Sequence, residues 1–137
     1  MTQNLIELYN SMNHFGRFMQ MEYSILNAGE VEYKLTVREE LLATQHAAHG
    51  GALAAFMDAI LGVTSLSAVA DEGKLVATIE FKINYLKPAL IGDNLTGKGK
   101  VIQKGKRILI TEGEIYNQKN ELIVKAIGTF TSYQANK

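Results

Sequence analysis

The run from Gly50 to Ala70 restricts this chain most: it is apolar or small on every side and carries one ionisable side chain, Asp58. It makes about six helical turns, and a helix that is hydrophobic all round belongs inside a protein or a bilayer. Its length suits a membrane span, but Ala, Gly, Ser and Thr dominate it and an aspartate sits in its middle, which suits lipid poorly. The run is therefore expected to be the buried central helix of a soluble domain, and the rest of the chain must supply its cover.

The cover reads as strands. Val31, Tyr33, Leu35 and Val37 alternate with Glu32, Lys34, Thr36 and Arg38, and Ala28-Gly29 separates them from the apolar segment Phe18 to Asn27; this pattern predicts a hairpin. After Asp71-Glu72-Gly73, a long strand over 74–87 is expected to put Leu75, Ala77, Ile79, Phe81, Ile83 and Tyr85 on one face and Val76, Thr78, Glu80, Lys82 and Asn84 on the other, unbroken until Pro88. Further strands are predicted near 94–104, 106–117 and 121–133, and the short connections make these strands antiparallel neighbours. Gly97, Gly99, Gly113 and Gly128 lie inside them, where glycine costs stability unless another backbone must approach closely. Ahead of the strands, Leu5, Ile6, Leu8, Tyr9 and Met12 recur at helical spacing after Thr2, a candidate N-cap, and predict a short helix over 3–12, with Gly16 beyond its end. Residues 39–48 show neither period and are expected to form a loop or a short turn of helix that leads into His49-Gly50-Gly51.

With 137 residues, 47% of them hydrophobic, the chain is expected to be a single domain over 1–137. Fourteen Lys and Arg balance fourteen Asp and Glu, which argues against a nucleic-acid partner. The absence of Cys excludes disulfide scaffolds, thiol nucleophiles and thiolate zinc sites. His46 and His49 are three apart with no third ligand at a recognisable spacing, so no metal is expected. Met1-Thr2-Gln3-Asn4 carries neither a basic nor an apolar leader segment, and the expectation is a cytoplasmic protein with no membrane partner. Gly92 to Lys98 imitates a phosphate-binding loop, but Gly99 stands where Ser or Thr is needed and a strand follows. An apolar helix this long is only partly covered by a sheet of about six strands, so its open side and the strand over 74–87 are expected to meet a second copy in a homodimer or a homotetramer.

His49-Gly50-Gly51 with Asp58 seven residues beyond Gly51, then Glu80-Phe-Lys-Ile-Asn-Tyr-Leu-Lys-Pro88, Gly92-Asp93 and Ala126-Ile-Gly-Thr-Phe130, form an ordered set. From Leu42 to Phe130 the chain resembles the hotdog-fold acyl-CoA thioesterases of the phenylacetate-degradation type. The resemblance implies an α+β hotdog fold, one curved antiparallel sheet of about six strands wrapped around a long central helix, with a short N-terminal helix ahead of it. It implies hydrolysis of an acyl-CoA thioester to free acid and coenzyme A, with no cofactor beyond the CoA of the substrate.

Thioester hydrolysis needs donors for the developing oxyanion, and the first N–H groups of a helix are unpaired, aligned with its dipole and fixed in advance. It also needs a carboxylate that attacks the carbonyl or takes a proton from water, and in the central helix only Asp58 qualifies. Eight residues separate Gly50 from Asp58, roughly 12 Å along the axis, too far for both to serve one carbonyl. Two such helices packed antiparallel about a two-fold axis bring the Asp58 of one beside the Gly50 of the other. The resemblance likewise implies a shared site, with Asp58 as nucleophile or general base, the Gly50 N–H as oxyanion donor, His49 and Gly51 shaping the turn, and Thr78 where some relatives carry a Ser that positions water. Relatives commonly have Asn or Gln seven residues before the oxyanion Gly, where this chain has Ala43; Gln45 is the substitute candidate. Lys87, Lys104, Lys106 and Arg107 are candidates for the phosphates of coenzyme A. The aromatics Phe81, Tyr85 and Phe130 are expected in the core, while Phe56 and Met57 are open to either side. Two other readings are an acyl hydratase or dehydratase, which would use His49 for proton transfer, and a non-catalytic acyl-CoA-binding or sensor protein.

Overall fold

The predicted central helix exists, and everything else is arranged around it. In the computed structural model, which describes residues 4–136, α3 spans Gly50–Val69 and lies in the hollow of one six-stranded antiparallel sheet. The strands are β1 (Glu22–Asn27), β2 (Glu30–Thr36), β3 (Lys74–Tyr85), β4 (Asn94–Lys104), β5 (Ile108–Tyr116) and β6 (Leu122–Gln134). Their order across the sheet is β1-β2-β4-β5-β6-β3. This is the predicted architecture, and α3, although long and apolar enough to cross a membrane, is mostly buried by its own sheet.

The strand glycines explain how a thick helix fits so close to a sheet. Phe56, Met57, Ile60, Leu61 and Thr64 point into the sheet and are fully buried. A Cβ built on Gly97 would run into Ile60, one on Gly99 into Thr64, one on Gly113 would stand 2.6 Å from Met57 Sδ, and one on Gly128 would stand 3.2 Å from Leu61 Cδ1 and 2.8 Å from Phe81 Cβ. Gly99 and Gly113 are cross-strand partners, so together they clear a lane for the helix. It is side chains that approach here, and contacts this tight leave no room for a methyl group. Ser65 and Thr111 hydroxyls meet at 2.8 Å within this contact and satisfy one another.

Four features depart from the pattern read in the sequence. First, β3 does not pair with β4; it crosses to the far edge and pairs with β6. Residues 86–93, between Tyr85 and β4, span the end of the sheet, where Ala89 is buried. Second, the alternation in β3 is interrupted: Thr78 pairs with Phe130 and Glu80 with Thr129, so Ile79 bulges out of the ladder. A bulge moves every later side chain to the opposite face. Val76 and Thr78 therefore share the helix side with Phe81 and Ile83, while Ile79 is exposed. Third, a short helix α2 (His14–Met19) occupies the start of the apolar segment assigned to the hairpin, with Gly16 inside it. Asn13 caps it by accepting the Gly16 N–H, and Gln20, at φ 59°, ends it. Fourth, Tyr85 is half exposed and does not belong to the core.

The first helix, α1 (Leu5–Met12), is capped by Asn4, whose side chain accepts the Ile6 and Glu7 N–H groups. The expected cap Thr2 lies outside the described residues. Leu5 is buried and Tyr9 packs against the core, which fixes α1 across the open side of α3.

Candidate active site

Glycines at 50 and 51 favour a turn, and the chain around them supplies an unusually firm support. The His49 N–H donates to the Leu41 carbonyl at 2.7 Å, the Ala48 N–H to Ala89 at 2.8 Å, and the Ile91 N–H to the His46 carbonyl at 2.8 Å. The segment 86–93 thus braces the loop 42–48 that delivers Gly50. Asp93, buried among these turns, accepts the Leu90 N–H through Oδ2 and the Gln118 amide through Oδ1. The Gly92-Asp93 pair singled out in the sequence is a brace for this turn.

At the helix start, His49 is the N-cap, and its Nδ1 accepts the Gly51 N–H at 2.7 Å. The His49 carbonyl accepts the Ala52 and Leu53 N–H groups. Among the described residues, the Gly50 N–H alone of this first turn finds no acceptor, and it points outward from the positive end of a 20-residue helix. The Tyr85 hydroxyl donates to the Gly50 carbonyl at 2.7 Å, and its ring lies beside Gly50, 3.5 Å from where a Cβ would stand. Sequence reasoning placed Tyr85 in the core; the bulge and the end of β3 bring it instead to the turn at Gly50.

Asp58 lies half-buried on the side of α3 that faces the edge strand β3. The Thr78 hydroxyl donates to its Oδ1 at 2.8 Å, which leaves Oδ2 available. The two residues form part of the wall of a cavity of about 450 Å³. Ala55, Ala59, Gly62 and Leu66 of α3 line one side of it, and Tyr9 and Met12 of α1 line the other. Phe130 is both core and cavity wall; Phe56 and Met57 are wholly buried toward the sheet. Burial raises the Tyr9 phenol above its ordinary value, partly offset by the Tyr33 hydroxyl beside it, and the charge of Asp58 pushes the same way. The Tyr9 and Tyr33 hydroxyls are neighbours that fall short of bonding geometry, so the fully buried Tyr33 hydroxyl has no hydrogen-bond partner among the described residues. Nothing in the sequence pattern of α1 announced that it would wall this cavity, because residues 9 and 58 meet only in the folded chain.

The other candidates are scattered. Gln45 sits exposed at the tip of the loop where Thr44 accepts the His46 and Ala47 N–H groups, away from the cavity lining. Lys87, near the Gly50 end, pairs with Glu121 at 2.9 Å. Lys104, Lys106 and Arg107 lie at the β4–β5 turn near the other end of α3, roughly 30 Å along its axis. There Lys104 donates to the Ala68 carbonyl and pairs with Glu72, which neutralises the negative end of the helix. Lys106 and Arg107 carry no ion pair among the described residues.

Comparison with known proteins agrees with this geometry. A family model described as the thioesterase superfamily matches residues 45–124, from the loop ahead of Gly50 into β6. A protein of Saccharolobus solfataricus, provisionally named an esterase, is 31% identical over 119 residues, which cover 85% of this chain and 76% of that one. Acyl-coenzyme A thioesterase 13 of Homo sapiens is 25% identical over 140 residues, 99% of this chain and 98% of the human one. Among solved structures, the E. coli PaaI protein from the phenylacetic acid degradation operon superposes with a TM-score of 0.83 at 22% identity, over 96% of this chain and 91% of that one, a likeness of fold. The chain therefore belongs to the thioesterase superfamily and is a thioester hydrolase on the hotdog fold.

Proposed function

We propose that the chain hydrolyses acyl-CoA thioesters to a free acid and coenzyme A, at two sites per homodimer that each combine the Gly50 N–H of one subunit with the Asp58 of the other. The observation that carries this reading is the Thr78-anchored carboxylate on the wall of an apolar cavity. Roughly 12 Å of helix separates that carboxylate from the free N–H of its own chain. The unpaired outer edge of β3, with Ile79, Leu86, Leu90 and Ile91 exposed on and beyond it, supports a second copy as the missing cover.

In the reaction, the Gly50 N–H donates a hydrogen bond to the thioester oxygen as negative charge grows on it. Asp58 attacks the carbonyl carbon directly or takes the proton of an attacking water. Where water attacks, the C–S bond breaks, the acid leaves with the new C–O bond, and the thiolate of coenzyme A takes up the proton that Asp58 received. Where Asp58 attacks, the C–S bond breaks to leave a mixed anhydride on Asp58, which water hydrolyses to the free acid while the thiolate takes up the proton released by that water. Thr78 holds the carboxylate at one oxygen. Lys87, Lys106 and Arg107 are our candidates for the phosphates of coenzyme A. The human relative's name as an acyl-coenzyme A thioesterase is consistent with that substrate class. His49 has its Nδ1 committed to the Gly51 N–H, which weighs against the hydratase reading.

The test uses two variants. Asp58→Asn removes the carboxylate, and Gly50→Pro removes the N–H donor while its ring packs beside Tyr85, since proline suits the first helical position and His49, at φ −63° and ψ 135°, already has the backbone required before proline. Each variant alone should release no thiol. Mixed and reassembled, they should recover about a quarter of wild-type turnover, because half the dimers carry one intact site. No recovery in verified mixed dimers would place both groups in one chain and sink the shared site. Binding of CoA esters without turnover by the wild type would leave a binding or sensor protein.

A further inference from the structure

Gly62 is the one glycine of α3 beyond its first turn, and the packing of the chain does not call for it. Among the described residues, a Cβ there would meet only Phe130 Cε2, at 3.7 Å, an ordinary contact, whereas the strand glycines opposite the helix have no such room. Glycine is the poorest helix former after proline, so a glycine in mid-helix without a packing reason points to something else that must come close.

What lies over Gly62 is the cavity. It is four residues beyond Asp58, on the same face as Ala55, Ala59 and Leu66, and all of these line the cavity together with Asp58. Along α3 the wall is thus a groove of small residues that starts at the carboxylate and ends at Leu66, with Tyr9 and Met12 of α1 closing it from outside and Phe130 from below. From Asp58 to Leu66 the groove runs roughly 12 Å. Among the described residues, no charged group other than Asp58 lines it.

Building on the thioesterase reading above, we infer that this groove is the acyl subsite, that it takes a straight apolar acyl chain of about eight to ten carbons, and that Gly62 sets the permitted length by letting the chain pass over bare backbone. The carbon count follows from about 1.3 Å of advance per methylene, the projection of a ~1.5 Å C–C bond. The volume of about 450 Å³ falls in the range of pockets that enclose small ligands. Specificity then rests partly on α1, which precedes the segment matched by the family model.

Thiol release is measured with acetyl-, butyryl-, octanoyl-, decanoyl- and hexadecanoyl-CoA for the wild type, Gly62→Leu and Gly62→Ala, with the oligomeric state checked by analytical ultracentrifugation. The readout is the ratio of kcat/KM for decanoyl-CoA to that for acetyl-CoA, which a general loss of activity does not move. In the wild type kcat/KM should peak at octanoyl or decanoyl. Gly62→Leu should lower the ratio by about 30-fold or more, and Gly62→Ala, whose methyl group has room to fold, by about three-fold. An unchanged ratio in both variants overturns the inference, and so does dissociation of Gly62→Ala into monomers, which would make Gly62 a contact between copies. If the wild type hydrolyses none of the esters, the hydrolase reading fails separately. Calorimetric binding of decanoyl-CoA against acetyl-CoA then reads the same ratio, which should still fall in Gly62→Leu, and an unchanged affinity ratio overturns the subsite.

Discussion

The two sides of α3 are built on opposite plans. Toward the sheet the helix is bulky and the strands are bare: Ile60 and Thr64 occupy the space left by Gly97 and Gly99, and Met57 and Leu61 that left by Gly113 and Gly128. Toward α1 the helix is bare and its surroundings are bulky: Ala55, Ala59 and Gly62 face Tyr9 and Met12 across open space. Glycine serves both sides, but in the strands it admits the chain's own side chains and in the helix it leaves a gap. One side holds the molecule together and the other leaves room for a ligand, so substitutions on the two should separate stability from activity.

The sharpest separation is expected from Asp58→Asn. It should lower kcat by about 1,000-fold or more in thiol-release assays, while the urea midpoint stays at or above that of the wild type, because a half-buried charge is removed. A midpoint that falls by several kcal/mol of stability would mean that the carboxylate is structural. On the opposite side, Gly99→Val should cost about 3 kcal/mol in urea unfolding, since its Cβ would lie within 3.1 Å of atoms of both Thr64 and Ile60, two stiff β-branched neighbours. Thr78→Val keeps the shape and removes the donor to Asp58; turnover should fall about ten-fold, equivalent to ~1.4 kcal/mol, with little change in stability. Gly62→Ala should raise stability, by about 0.5–1 kcal/mol, the opposite sign to Gly99→Val for a larger residue at a glycine. The smallest effect belongs to neither side. Glu72, held below its ordinary value first by the Lys104 hydrogen bond and then by Lys74, adds stability that is present above the unfolded value near 4.5 and is lost as pH falls through the lowered folded value. Glu72→Gln should therefore flatten the acid limb of the stability profile slightly.

How much of this the sequence disclosed follows from the range over which each signal acts. Local patterns carried far: the apolar run gave α3, the alternation of Val31 to Val37 gave β2, and Lys104-Gly105-Lys106 and Asn117 to Asn120 marked true turns. Asp58 stood out because a lone carboxylate in an apolar helix is costly without a purpose. The bulge at Ile79 was hidden because Ile79 and Phe81 keep the period of two on paper; only the pairing with β6 shows the slip. The crossing of β3 to the far edge was equally invisible, since pairing choices between distant strands leave no local mark. Tyr85 at the Gly50 carbonyl and Tyr9 over Asp58 depend on both of those long-range facts and on the docking of α1.

The position of β3 also sets when the carboxylate can be completed. Thr78, which steadies Asp58, belongs to a strand whose only sheet partner among the described residues is β6, Leu122–Gln134. Contacts that span so much sequence form late, after the loops they close. During synthesis, α3 and β1 to β5 can emerge and begin to associate while β3 still has nothing to pair with and Thr78 has no fixed place. The ribosome therefore carries a nascent chain that has Asp58 and Thr78 in full but no settled hydrogen bond between them until β6 has been made.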